Sequence, residues 1–413
     1  MSTKSAMESL GLRDFSENVR PPTTSNSVVN MSPETVKSDA ESTRIVVHYR
    51  FPTLVEAFLD HKRAYGSAAE KALYTPDWTW KRQVARLIEK RALVFLNAHD
   101  YTVLRDGRTI GTAYREWDRV GTDEEHKNTH LFLNDYLSYD EIMLGSLIGV
   151  SGPSFFINDG ARTNCGKTRG PAHEPRGIII GLVGPRFERE DRMDSAYVLR
   201  PVDQPRQHPQ LREIFCQFFG RRQKPDLNFD EKMYRARIRI TADVLLLEAN
   251  ARAKEAGKKA YVYVVGLGLG VWKHPGIDQA PSYVAAFCET LEQLHASLEN
   301  IAVLEFGYVG NMADWDKYTF NFGLSPNSVA VRFTRRNPAE KLQGKDAEHL
   351  LVLSYAWDGN AFPGNEYWIG SLDGTGDPAA ACMSTIGELH NPMINSRFLE
   401  RIEVARPVGN EAR

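Results

Sequence analysis

The chain has 413 residues, 42% of them hydrophobic and 25% charged, with a formal net charge of -2. A chain of this length and composition can bury a sizeable core, as one elaborated domain or as two. The near-neutral balance argues against a nucleic-acid protein, which carries a basic excess, and basic clusters such as Arg221-Arg222-Gln223-Lys224 read as solvated surface.

The four cysteines (Cys165, Cys216, Cys288 and Cys382) are far apart, which gives neither a metal-binding pair nor a disulfide framework. Residues 1–40 have no apolar leader core, and no apolar run approaches the ~18 residues needed to cross a bilayer. The expectation is a soluble intracellular protein, cytoplasmic or nuclear, without nucleic acid, membrane, metal or cofactor.

Residues 1–42 are rich in Ser, Thr, Asn and Pro and poor in large apolar groups, and are expected to form a disordered tail. The stretch 43–135 reads as a helical extension packed on the core. Leu54, Val55, Phe58 and Leu59 recur on one helical face, and a second stripe spans 74–96. From residue 136 the texture changes to a core that extends to 413. A helical stretch over 139–149 leads through Ser151-Gly152-Pro153 to a short strand at 154–157. Further apolar runs at 178–183, 261–265, 301–306 and 350–355 read as strands covered on both faces. Helical segments over 233–255 and 281–298 lie between several of them. This alternation predicts an α/β sandwich with a largely parallel or mixed sheet, whose ligand would lie beyond the carboxyl ends of the strands.

Three strand-end loops are candidates for that site. In the first, Asn158, Asp159, Gly160, Arg162 and Asn164 suit hydroxyl, base-edge and phosphate contacts, or an Asx turn that satisfies its own backbone. In the second, Gly266, Gly268 and Gly270 precede Val271 and Trp272. Glycines there let backbone N–H groups approach a diphosphate. The spacing is not a dinucleotide fingerprint, because Val271 falls where the third glycine would be needed. A side chain at 268 or 270 is expected to block the ligand and spare the fold. The third is the densest: Trp357, Asp358, Asn360, Asn365 and Glu366 are followed by Asp373 and Asp377. Paired carboxylates are what glycosidic cleavage needs, one for water and another for ribose hydroxyls. Asp377 before Pro378 equally fits a helix N-cap.

Together, Phe156-Ile157-Asn158-Asp159-Gly160 with Arg162 and Asn164, then 181–188 (GLVGPRFE), GLGLGVW, WDGNAFPGNEYW and GDPAAAC resemble the MavL-like macrodomain proteins. These are ADP-ribosyl hydrolases of an arginine-directed branch, distantly related to the poly(ADP-ribose) glycohydrolase type. The resemblance covers roughly 136–397. The glycohydrolase GGG-x-QEE signature is absent, with Gly364-Asn365-Glu366 only an echo of it, which turns the expectation toward mono-ADP-ribose on protein. The resemblance implies a macrodomain-like three-layer α/β/α sandwich that binds ADP-ribose. It places Asp358, Glu366 and Asp377 as active-site carboxylates and points to ADP-ribosylated protein substrates, ubiquitin among them. Hydrolysis of arginine-linked mono-ADP-ribose is the leading reading. A non-catalytic ADP-ribose-binding module is the alternative, since such folds serve both ends.

Overall fold

In the computed structural model, the described residues are 3–13, 25–96, 101–111, 113–222, 224, 226–309, 320–322, 328–365, 368, 382 and 385–409. The first half supplies the strands β1 (Arg44–His48), β2 (Val94–Leu96), β3 (Tyr101–Val103), β4 (Thr109–Ile110), β5 (Ile148–Phe155) and β6 (Arg176–Leu182). The second half supplies β7 (Ala260–Val264), β8 (Ile301–Gly307), β9 (Phe320–Phe322), β10 (Val329–Thr334), β11 (Leu350–Ala356) and β12 (Ile402–Ala405). The helices among these residues are α1 (Thr3–Ser9), α2 (Pro33–Ser42), α3 (Phe51–Tyr65), α4 (Ala68–Leu73), α5 (Trp80–Glu89), α6 (Ala113–Trp117), α7 (Tyr139–Gly145), α8 (Ser195–Val198), α9 (Pro209–Phe218), α10 (Glu231–Glu255), α11 (Ala280–Leu294) and α12 (Ile386–Leu389).

Among the described residues nine strands form one mixed sheet in the order β12-β1-β5-β6-β11-β7-β8-β10-β9, and β2-β3-β4 form a small antiparallel one. Strands β6, β11, β7, β8 and β10 run parallel, whereas β5 is antiparallel to both β1 and β6. The apolar runs at 178–183, 261–265, 301–306 and 350–355 are the central strands of this mixed α/β fold. Helix α10 lies across the sheet, and α11 packs beside it, with Phe287 edge-on to Phe306 of β8 at 5.4 Å. The opposite face carries Tyr261, Tyr263 and Glu305, over which Arg336 folds back, paired to Glu305 at 3.1 Å.

Three expectations change. Residues 25–42 do not form a disordered tail: Val28 and Val36 are buried in a satellite cluster with Leu389 and Ile394, and Ser32 caps α2 through the Thr35 amide. Few apolar residues suffice there because partners distant in sequence complete the cluster. Nor is 43–135 purely helical. Ile45, Val46 and Val47 are fully buried in β1, an interior strand of the main sheet, and the stripe at 74–96 splits into α5 and β2. Finally, β5 starts well before 154 and absorbs Ser151-Gly152-Pro153. Pairing with β1 stops at Ser151, so Pro153 sits where β5 has no neighbour on that side. A side chain at 152 would come within 2.9 Å of the Thr43 hydroxyl, which explains the glycine.

Candidate active site

Because β11 lies between β6 and β7, the loops that leave their carboxyl ends converge, although they are far apart in sequence. Residues 183–187, 265–272 and 357–365 therefore share one crevice. Two glycines close it: a Cβ on Gly184 would lie 2.2 Å from the Gly268 amide, and one on Gly268 would lie 2.5 Å from the Pro185 carbonyl. Gly268 also has φ +76°, a left-handed conformation open to glycine. The Phe187 amide adds a link to the Trp272 carbonyl at 2.9 Å. So Gly268 is the hinge of a backbone-on-backbone contact, and the expectation that a side chain there would spare the fold is overturned. At Gly270 a Cβ would meet nothing within 4 Å, and Val271 beside it is 84% exposed. The open part of this loop is 270–271.

Asp358 stands at the centre, only 7% exposed. One carboxyl oxygen accepts the Trp272 indole N–H at 2.8 Å, and the other accepts the Asn365 side-chain amide. Burial pushes its pKa up to about 6, against the opposing charge of Arg186 and the two hydrogen bonds. Arg186 stacks on the Trp272 ring at 4.0 Å and on Phe95 at 4.6 Å, and both its Nε and Nη2 donate to Glu188, at 2.8 and 2.5 Å. Its backbone is fixed from below. The Arg186 amide donates to Asp194, which is paired to Arg237 of α10 at 2.8 Å, and Arg237 also donates to the Val183 carbonyl.

Around Asp358 several buried polar atoms have no partner among the described residues: both side-chain atoms of Asn360, Oδ1 of Asn365 and the indole nitrogen of Trp357. Buried polar atoms are usually hydrogen-bonded, so these are candidates for contact with a ligand. Glu366, Asp373 and Asp377 lie outside the described residues.

The first loop is placed differently. Phe155 pairs with Arg176, so the chain leaves β5 beside the amino end of β6, at the edge opposite the crevice. Asn158 accepts the Gly160 amide at 2.7 Å and donates to the Lys167 carbonyl at 2.9 Å. Asp159 accepts from the Ala161 amide, Asn164 and Asn337 at 3.1, 2.7 and 2.9 Å. This is the self-satisfied Asx arrangement, and Arg162 is exposed beside it. Among the described residues none of these groups meets Asp358, Trp272 or Asn365.

A family model described as ADP-ribosylhydrolase MavL-like matches residues 19–209 and 206–406, nearly the whole chain. The chain belongs to the MavL-like ADP-ribosylhydrolase family. Two curated relatives from Drosophila melanogaster are similar over most of their length. ADP-ribosylarginine hydrolase CG3568 is 36% identical over 88% of this chain and 78% of its own, and ADP-ribosylarginine hydrolase CG2909 is 34% identical over 90% and 80%.

In this family member the structure brings together Asp358, Trp272, Asn360 and Asn365, all singled out from sequence, with Arg186, Glu188 and Phe95 beside them, which the sequence did not place there. The 181–188 stretch stood out as a motif, yet its position next to Trp272 follows from sheet order, which no local pattern carries. Phe95 had no signal at all. Among the described residues no group of three or more His, Cys, Asp or Glu is arranged to hold a metal ion, and no helix is long and apolar enough to cross a membrane.

Proposed function

We propose that this protein hydrolyses the N-glycosidic bond between ADP-ribose and arginine side chains of proteins, on a macrodomain-like sandwich. The observation that carries the reading is Asp358: a buried carboxylate at a strand-end crevice, oriented by Trp272 and Asn365 and surrounded by polar atoms without partners among the described residues. Its family and the names of both fly relatives support the same substrate class. In the proposed pose the diphosphate runs along the open backbone at 270–271 and beside 266, with Trp272 as a wall. The distal ribose then meets Asn360 and Asn365 near Trp357.

Water attacks the anomeric carbon, the C–N bond breaks with its electrons returning to the guanidine, and the proton lost by water passes to Asp358. The departing guanidine then takes up a proton, so free ADP-ribose and unmodified arginine result. Glu366 and Asp377 are proposed to share the distal ribose with Asp358, bracing the oxocarbenium-like transition state. A carboxyl with a pKa of about 6 is mostly ionised at neutral pH, yet basic enough to accept that proton. The four cysteines are free thiols, which supports a reducing, intracellular setting.

The test is incubation of the full chain with peptides carrying mono-ADP-ribose on arginine, serine or glutamate, with detection of free ADP-ribose. Release from the arginine peptide is expected. Failure to release it from any linkage, by a protein whose melting temperature free ADP-ribose still raises, would replace the enzyme with a binding module.

A further inference from the structure

The floor of this site comes from the stretch between α5 and β2, far from all three loops in sequence. The Ala92 amide donates to the Asn360 carbonyl at 3.1 Å and the Phe362 amide to the Ala92 carbonyl at 2.9 Å, a one-residue parallel bridge with Ala361. Phe95, just beyond in β2, stacks with the Arg186 guanidinium.

Arg91 begins this floor and is wholly buried. Its Nε donates to the Leu87 carbonyl at 2.5 Å, Nη2 to the Gly145 carbonyl at 3.1 Å, and Nη1 reaches the Ala361 carbonyl at 3.4 Å. The guanidinium also lies over the Trp357 ring, 4.9 Å from its centre. Among the described residues no carboxylate pairs with it. Burial lowers its pKa to about 9, which still leaves it charged at neutral pH.

Desolvating a cation is costly, so something must hold this one. Leu87 and Gly145 sit in the last turns of α5 and α7, where orphan carbonyls carry the negative end of the helix dipole. A Cβ on Gly145 would stand 3.0 Å from Nη2, so glycine is what lets α7 approach. The aromatic face adds a further attraction. Two rigid helix ends thus grip one side of the guanidinium, and its remaining contacts are to residues that flank Asp358.

We propose that Arg91 is a positioning residue for this site. Anchored on α5 and α7, it fixes 357–361 and with it the direction of the Asp358 carboxyl. The proposal rests on the hydrolase reading only for its effect on turnover; its effect on the loop is independent of that reading.

The experiment uses the full chain with Arg91→Met, which keeps bulk and removes charge, and Arg91→Lys, which keeps charge but reaches fewer carbonyls. Deuterium exchange is followed at the amides of Trp357, Ala361 and Phe362, bonded to the carbonyls of Leu182, Asp358 and Ala92. In R91M these should exchange at least about tenfold faster while α10 and β8 exchange as in the parent. Turnover of the arginine-linked peptide should fall about 10- to 100-fold, with KM changing much less, as expected of a misplaced reacting group. R91K should recover part of both. Parental exchange at 357–362 in R91M overturns the proposal, as does an R91K no better than R91M. If R91M does not fold, R91K decides alone: faster exchange confined to 357–362 supports the proposal, and parental exchange there overturns it. A parent without turnover would sink the hydrolase reading and leave the exchange result standing.

Discussion

The loop after β5 and the loop after β11 both open with a run of asparagine, aspartate and glycine. Their hydrogen bonds run in opposite directions. In the first, Asn158 and Asp159 accept from Gly160, Ala161 and Asn164 of the same loop and Asp159 also from Asn337, so these groups are taken up within the protein. In the second, Asn360 is buried and neither side-chain atom has a partner among the described residues, and Asp358 is held by two donors yet pushed up toward neutrality by burial. Composition alone does not tell a turn from a site. The distinction lies in whether the polar atoms are used up inside the protein, and that depends on which sheet edge each loop leaves from.

Removing the two aspartates in turn separates the loops most clearly. Asp358→Asn should lower turnover of arginine-linked ADP-ribose about 100- to 10,000-fold and change ADP-ribose affinity little, because the lost interaction matters chiefly in the transition state. A pH series on the parent sharpens the point. The base must be ionised, and burial has raised its pKa to about 6. Turnover should therefore be flat above neutrality and fall about tenfold per unit as pH drops below 6. An acid limb set near the ordinary carboxylate value, or an Asp358→Asn enzyme with parental turnover, would remove Asp358 from the chemistry.

The second contrast lies within the glycine loop, where Gly268 is packed and Gly270 is open. Gly268→Val drives a branched side chain into the Pro185 backbone at a positive φ, so a loss of about 3 kcal/mol or more, read by thermal or denaturant melting, is expected. Gly270→Val should melt with the parent and show a smaller stabilisation by ADP-ribose. Equal melting of both variants would mean that 184–185 does not brace the loop.

What the sequence made legible follows the same line. The central strands stood out as apolar runs because both faces are covered, and Asp358 stood out because four acidic residues cluster in one stretch. β1 was hidden: five residues beside a helix signal do not reveal that they enter the interior of a sheet. Arg91 carried no signal, and Arg186, although inside the 181–188 motif, carried none for its neighbours, for another reason. A buried arginine looks like any surface arginine until its partners are known, and those partners, Trp272 and Trp357, are far away along the chain.

The smallest expected effect belongs to the first loop and is the most diagnostic for it. Asp159 is partly exposed. Desolvation raises its pKa, but hydrogen bonds from the Ala161 amide, Asn164 and Asn337 outweigh this and hold it below the ordinary carboxylate value. Asp159→Ala removes these bonds at a site that solvent screens, so a loss of about 1 kcal/mol is expected at neutral pH. A depressed folded-state pKa means the stabilising contribution is present above the ordinary carboxylate range and is lost as pH falls through it. The melting difference between parent and Asp159→Ala should therefore narrow in acid. Turnover and ADP-ribose affinity, measured at neutral pH and corrected for folded fraction, should match the parent. If turnover or affinity drops instead, the loop after β5 reaches the ligand after all, and its Asx turn is only the resting arrangement of a binding element.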